Sequence, residues 1–104
     1  MNNQIQELAE LLHYKDQSKI GAIYEISSQI ISSSSFVKSE WIAKAAQSLC
    51  EVHEIMNSAG NWDWDAAQVH GKTMQLLASL EGDHDAVRQS LLDGLSSVVA
   101  AKRQ

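Results

Sequence analysis

The sequence predicts an all-α protein, an antiparallel four-helix bundle with room for a short extra helix at its N-terminus. Proline, which breaks helices, is absent from all 104 residues, although an average usage of about 5% would give about five. Apolar residues recur at steps of three and four along most of the chain, as expected for helices with one buried face. Glycine or serine separates these periodic segments. The pattern indicates a single helical domain over residues 1–104.

The first segment, residues 3–33, is compatible with one bent helix or with two. An apolar stripe precedes a polar stretch at residues 15–19, and a second stripe follows it. These stripes are Ile5, Leu8 and Leu12, then Ile20, Ile23, Ile26 and Ile30. Asp16 or Ser18 is suited to cap a second helix. The Ile30-Ile31 pair also suits a strand by propensity, but a lone strand would have no partner, so a helix is predicted.

The second helix is predicted over residues 36–58, after a serine run (Ser32 to Ser35) that would form the loop and the N-cap. Its inward stripe is Trp41, Ala45, Leu49, Val52 and Met56. Gly60-Asn61 then indicates a turn, in which glycine adopts the left-handed conformation and asparagine caps the next helix. The two helices joined by this turn should form an antiparallel hairpin.

The third and fourth helices are predicted over residues 63–80 and 84–102, separated by the turn residues Glu81-Gly82-Asp83. The third carries its inward stripe on Val69, Met74, Leu76, Leu77 and Leu80. The fourth carries its stripe on Val87, Leu91, Leu95 and Val98. Lys102 and Arg103 stand in the last turn, where cations are favoured by the helix dipole.

Composition excludes several classes of function. The 13 acidic and 8 basic side chains give a net charge of −5, and the basic residues are scattered, so nucleic acid is not an expected partner. No apolar run approaches the roughly 20 residues needed to cross a bilayer, and a membrane is not expected either. The single cysteine and the absence of a signal-like N-terminus favour a cytoplasmic location.

No sequence motif for nucleotide binding, metalloprotease or serine-hydrolase chemistry occurs, so neither a cofactor nor an enzymatic activity is expected. One set of side chains still suggests a metal site. His53 and His70 lie at similar distances on either side of the Gly60 turn, and Cys50 is one helical turn before His53. Together they could hold a zinc ion with water in the fourth position, and Glu54 could add an oxygen. The alternative is that both histidines are packing residues with one hydrogen bond each.

His53 and His70 also suggest a phosphate acceptor, because the predicted scaffold resembles the histidine phosphotransfer domains. Those domains are four-helix bundles with an exposed histidine midway along a helix, and the resemblance implies a signalling module that carries phosphate on His70 or His53. The family has lysine three residues and glycine four residues after its histidine. In this chain His70 is followed by Gly71, Lys72, Thr73 and Met74, and His53 has Met56 and Asn57 at those positions. The resemblance therefore concerns architecture alone.

The leading hypothesis is a small non-enzymatic interaction, regulatory or adaptor module. Trp62 and Trp64 flank Asp63, and alternate positions of a helix cannot both face one core, so one of them is a candidate anchor for a partner. The alternative is that one tryptophan packs back over the loop as a hydrophobic staple. Gly71 and Gly94 lie inside predicted helices, where glycine is unfavourable. Either a bulky side chain of a neighbouring helix packs over each glycine, or each glycine leaves a flat patch that a partner helix can approach.

The third and fourth helices also carry more apolar residues than one buried face requires. Adjacent apolar pairs occur at Leu76-Leu77, Leu91-Leu92 and Val98-Val99. A second apolar face follows, which would either contact a neighbouring helix of the same chain or favour a symmetric homodimer.

Overall fold

The computed structural model describes residues 2–34, 40–80 and 82–103, and these ranges contain five α-helices and no strand. The helices are α1 (Asn2–Tyr14), α2 (Ile20–Ser34), α3 (Glu40–Ala59), α4 (Trp64–Ser79) and α5 (Asp85–Lys102), with a 3-10 turn at Gln17–Lys19. The all-helical prediction is confirmed. The count is five because residues 3–33 form two helices.

The break between α1 and α2 is built from local backbone chemistry. Lys15 adopts a left-handed conformation with φ of 54°, which ends α1. The Asp16 carboxylate then accepts hydrogen bonds from the backbone N–H of Ser18 at 3.0 Å and from its hydroxyl at 2.7 Å. Asp16, one of the two predicted caps, therefore starts the 3-10 turn that leads into α2.

The later turns follow the predicted glycines but use different caps. Gly60 and Gly82 have φ of +67° and +75°, the left-handed region that glycine enters without strain. Asp63, not Asn61, caps α4, because its carboxylate accepts from the Asp65 N–H at 2.9 Å. Residues 32–34 belong to α2, so the prediction that the serine run is a loop was wrong there. Ser35 and the predicted start of the second helix at residues 36–39 lie outside the described residues.

Helix α3 is central, with α2, α4 and α5 packed against it, and α1 packs on both α2 and α4. Helices α1 to α4 thus form a closed ring of contacts: α1 with α2, α2 with α3, α3 with α4, and α4 with α1. Side-chain hydrogen bonds fix these pairs: Gln4 to Gln29, His53 to the Ile20 carbonyl, and Gln68 to the Leu12 carbonyl.

Helix α5 packs on α3 and also contacts α4. Its C-terminal cations hold it in place. Lys102 pairs with Asp63 at 2.6 Å and Arg103 pairs with Glu51 at 2.8 Å. Asp63 therefore links the start of α4 to the end of α5, and the predicted basic last turn of this helix is used for tertiary contacts.

The core lies mostly on the predicted stripes of α1, α2 and α3, whereas the predicted stripes of α4 and α5 need correction. Its buried apolar side chains are Ile5, Leu8, Leu12, Ile23, Ile26, Ile30, Ile42, Ala45, Ala46, Leu49, Val52, Met56, Ala66, Ala67, Met74, Leu77, Leu92, Leu95 and Val99. Val69, Leu76 and Val87, which were expected to point inward, are exposed. Trp41, expected in the core, is half-buried at its edge with the Lys44 ammonium 5.2 Å from its ring centroid.

Candidate functional site

The surplus apolar residues of α4 and α5 divide between the core and the surface. In each predicted pair, one member is buried: Leu77, Leu92 and Val99. The other member stays at the surface, since Leu76 is 53% exposed and Leu91 and Val98 are half-buried. Adjacent helical positions point about 100° apart, so one side chain of each pair enters the core and its neighbour cannot.

These outer residues form what we call the α4–α5 face, defined as Val69 and Leu76 of α4 with Val87, Leu91, Gly94 and Val98 of α5. Val69 and Leu76 are two helical turns apart on one side of α4, and the α5 members follow at steps of four, three and four. Val69 and Val87 are 42% and 48% exposed. Helices α4 and α5 are consecutive and contact each other, so the two stripes lie on neighbouring helices.

Gly94 lies in the middle of the α5 stripe, and nothing among the described residues requires a glycine there. A Cβ added at Gly94 would meet no atom within 4 Å. Its φ is not in the left-handed region, and a glycine inside a helix costs about 1 kcal/mol relative to alanine. The position therefore leaves an open stretch of helix backbone on the α4–α5 face.

Gly71, another interaction candidate, has a different role because it is buried beneath α1. A Cβ at Gly71 would stand 2.5 Å from Cδ1 of Leu12, so the glycine allows the two helices to approach closely. Leu12 and Gly71 also line a groove of about 610 Å³ between α1 and α4, in which polar and apolar surface are both present. In the structure Gly71 takes part in the internal packing of α1 on α4.

Trp62 and Trp64 are half-buried and pack against the core. The Trp62 ring stands edge-on to His53, with centroids 5.1 Å apart, and edge-on to Trp64 at 5.4 Å. The Trp62 indole nitrogen is buried without a hydrogen-bond partner. Trp62 comes directly before the N-cap Asp63 and packs back on α3, as in the staple alternative. Neither tryptophan projects as an exposed anchor.

His53 and Cys50 lie on α3 next to α2 but do not form a metal centre with His70. His53 is 7% exposed and its Nε2 donates to the Ile20 carbonyl at 2.9 Å. Burial raises the pKa of the Cys50 thiol, which makes a hydrogen bond with Ser28. Among the residues that the structure describes, no three His, Cys, Asp or Glu side chains are placed to hold a metal ion.

His70 is fully buried between α4 and α3, with both ring nitrogens in hydrogen bonds. Nδ1 lies 2.8 Å from the Ala66 carbonyl and Nε2 lies 2.9 Å from the Ser48 hydroxyl. Burial lowers the pKa of His70. A phosphate acceptor must present a ring nitrogen to its donor, and neither nitrogen of His70 is presented in this arrangement. The hydrogen bonds of both histidines join neighbouring helices: His53 joins α3 to the start of α2, and His70 joins α4 to α3.

Ser48 is a functional candidate that the sequence analysis did not identify. It is half-buried and lines two adjoining grooves between α3 and α5, of about 330 and 200 Å³. Ser48 lies 12 residues before Gly60 and His70 lies 10 residues after it, so hairpin register was a signal that could have paired them. A serine inside a helix carries no motif of its own, and the pairing becomes visible only in the fold.

Comparisons with protein-family models, curated proteins and solved structures found no match to this chain. None of the helices in the described ranges has both the length and the apolar character needed for a membrane crossing.

Proposed function

We propose that this protein is a self-associating helical interaction module that uses the α4–α5 face to bind a second copy of itself. In this proposal α1–α4 form an antiparallel four-helix bundle, whereas the sequence pattern placed α5 in the bundle and allowed an extra helix at the N-terminus, and α5 is added at its side to complete the interaction surface. The observation that carries the proposal is the apolar stripe of α5, in which Val87 is 48% exposed, Leu91 and Val98 are half-buried, and Gly94 at the centre is not covered by any described residue.

A second copy is the partner that best fits the chemistry of this face. Two identical apolar stripes related by a two-fold axis cover each other without requiring any other surface. The residues that define the face carry no charge, so pairing brings no like charges of the face itself together. Overall, each chain carries −5, which disfavours non-specific association and leaves the apolar face as the attractive element.

The test is the molecular mass in solution, measured by sedimentation over a wide range of protein concentration. We expect a dimer that Leu76→Glu and Val87→Glu both dissociate, because each places a charge in the apolar contact. Gln75→Glu and Ala86→Glu are matched controls, since these positions are exposed neighbours on the same helices but outside the face. Circular dichroism should show all four variants folded.

A wild-type chain that is monomeric at every concentration would overturn the proposal. A dimer that the controls disrupt as strongly as Leu76→Glu and Val87→Glu would place the interface elsewhere. A regulatory or adaptor role and a cytoplasmic location remain part of this proposal, the latter supported by the single cysteine, Cys50.

A further inference from the structure

The hydrogen bonds around His70 fix which nitrogen of its ring carries the proton. The Ala66 carbonyl can only accept, so Nδ1, 2.8 Å away, must be the donor. In the neutral ring Nε2 is then the acceptor, and its lone pair points to the Ser48 hydroxyl at 2.9 Å. Ser48 Oγ–H therefore donates to the nitrogen of an imidazole that is held in place from its other side.

This arrangement is the one by which proteins activate a serine. A nucleophile lies within hydrogen-bond reach of a base, and a third group orients the base. Here the third group is a backbone carbonyl instead of a carboxylate. Burial of His70 disfavours its charged form, so the neutral ring needed to take a proton is present at neutral pH.

Ser48 also lies where a small molecule can approach it. It lines both grooves between α3 and α5, and Lys44, one helical turn earlier on the same side of α3, lines both grooves as well. A lysine ammonium can stabilise the negative charge that develops on a carbonyl oxygen under attack. The Ser48 side is therefore open to a substrate while the base stays shielded from water.

We propose that Ser48 is an acylation site, with His70 as its general base and small activated esters as acyl donors. Ser48 Oγ forms a bond to the ester carbonyl carbon, and the bond from that carbon to the leaving oxygen breaks. The Oγ proton moves to Nε2 of His70, the leaving oxygen departs as an anion, and the imidazolium then releases its proton to water, so no oxidant or reductant is needed. The product is one acyl group per chain, a covalent modification that is independent of the proposed self-association.

The experiment uses the wild-type protein with p-nitrophenyl acetate, and the acetylated residues are located by peptide mass spectrometry over time. Ser96 is the internal reference, because it lines the same two grooves and no imidazole is hydrogen-bonded to it in the structure. General-base assistance typically contributes about 100-fold or more, so Ser48 should be acetylated about 100-fold faster than Ser96. Acetylation of Ser48 no faster than that of Ser96 would overturn the proposal.

Two further measurements test the role of His70. In His70→Gln, shown to be folded by circular dichroism, the fast acetylation of Ser48 should disappear, and its persistence would remove His70 as the base. If this variant does not fold, the imidazole nitrogen chemical shifts of wild-type His70 decide the matter. They should show a proton on Nδ1, and a proton on Nε2 instead would overturn the proposal, because Nε2 could then accept nothing from Ser48.

Discussion

Replacing Gly71 and Gly94 by alanine, one at a time, measures how tightly α1 is packed on α4. Both glycines lie inside helices, so each substitution gains the same intrinsic helix propensity, about 1 kcal/mol. At Gly94 the new Cβ meets nothing within 4 Å, and the whole gain should appear in the free energy of unfolding. For a domain of this size, that corresponds to a rise in Tm of about 4–8 °C.

At Gly71 the same gain is opposed by a collision. The new Cβ would stand 2.5 Å from Cδ1 of Leu12, so the end of this buried side chain must shift against its neighbours or toward the groove that it lines. Overpacking of this kind costs about 1–3 kcal/mol. The Gly71→Ala substitution should therefore lower the free energy of unfolding by between zero and about 2 kcal/mol relative to the wild type. The variant should thus be about 1–3 kcal/mol less stable than Gly94→Ala.

The assay is urea unfolding followed by tryptophan fluorescence and by circular dichroism, at a protein concentration low enough to keep the chains monomeric. Dilution matters because Gly94 belongs to the proposed dimer contact. A Gly71→Ala variant as stable as Gly94→Ala would refute the close approach of α1 to α4. The double variant Leu12→Ala/Gly71→Ala gives a check, since the added methyl should fill part of the cavity and reduce the cost of losing Leu12.

Asp63 and His70 yield further predictions. Asp63→Ala removes the α4 cap and the ion pair with Lys102, and it should lower the free energy of unfolding by about 1–2 kcal/mol. Asp63→Asn keeps the cap and should lower it by less than about 1 kcal/mol. Equal losses for the two variants in urea unfolding would contradict separate contributions from the cap and the ion pair. The hydrogen bond from Lys102 lowers the pKa of Asp63 in the folded protein. The stability contributed by ionised Asp63 is therefore complete above the pKa of an unfolded aspartate and is lost as the pH falls through the lower folded pKa. Because burial lowers the pKa of His70, the unfolded chain binds the proton first, and stability should decline as the pH falls from about 6.5 towards the folded pKa. That decline should be absent from His70→Gln, and an unchanged slope in the variant would show that another group is responsible.

The sequence predicted the helices well where apolar spacing was the only signal. On α3, Ala45, Leu49, Val52 and Met56 are all buried as expected. Trp41 departs from the stripe, because its ring packs half-buried against the edge of the core.

Helix α4 shows why part of the core could not be predicted in this way. Its inner side contains His70, Gly71 and Thr73, which a search for apolar periodicity assigns to the surface. His70 can be buried because hydrogen bonds satisfy both of its nitrogens, and Gly71 is buried because Leu12 needs the space. With these residues inside, Val69 and Leu76 are left outside.

Of the two candidate sites, one could be predicted more fully from the sequence than the other. The second apolar face could be predicted, because paired apolar residues on one helix cannot all enter the same core. The Ser48–His70 pair was only partly predictable: the hairpin register places the two residues at similar levels, but their contact also depends on the relative rotation of α3 and α4, which apolar spacing does not specify.

The hydrogen bond from Gln68 to the Leu12 carbonyl joins residues that are 56 positions apart, and it connects α4 to the last turn of α1. Closing so long a loop costs entropy before any contact compensates for it, whereas the α3–α4 hairpin needs only a short loop. Helix α1 should therefore dock late during folding and detach most readily from the native state. Native-state hydrogen exchange would then find the least protected helical amides in α1, and each detachment would briefly uncover Gly71 and the inner side of α4.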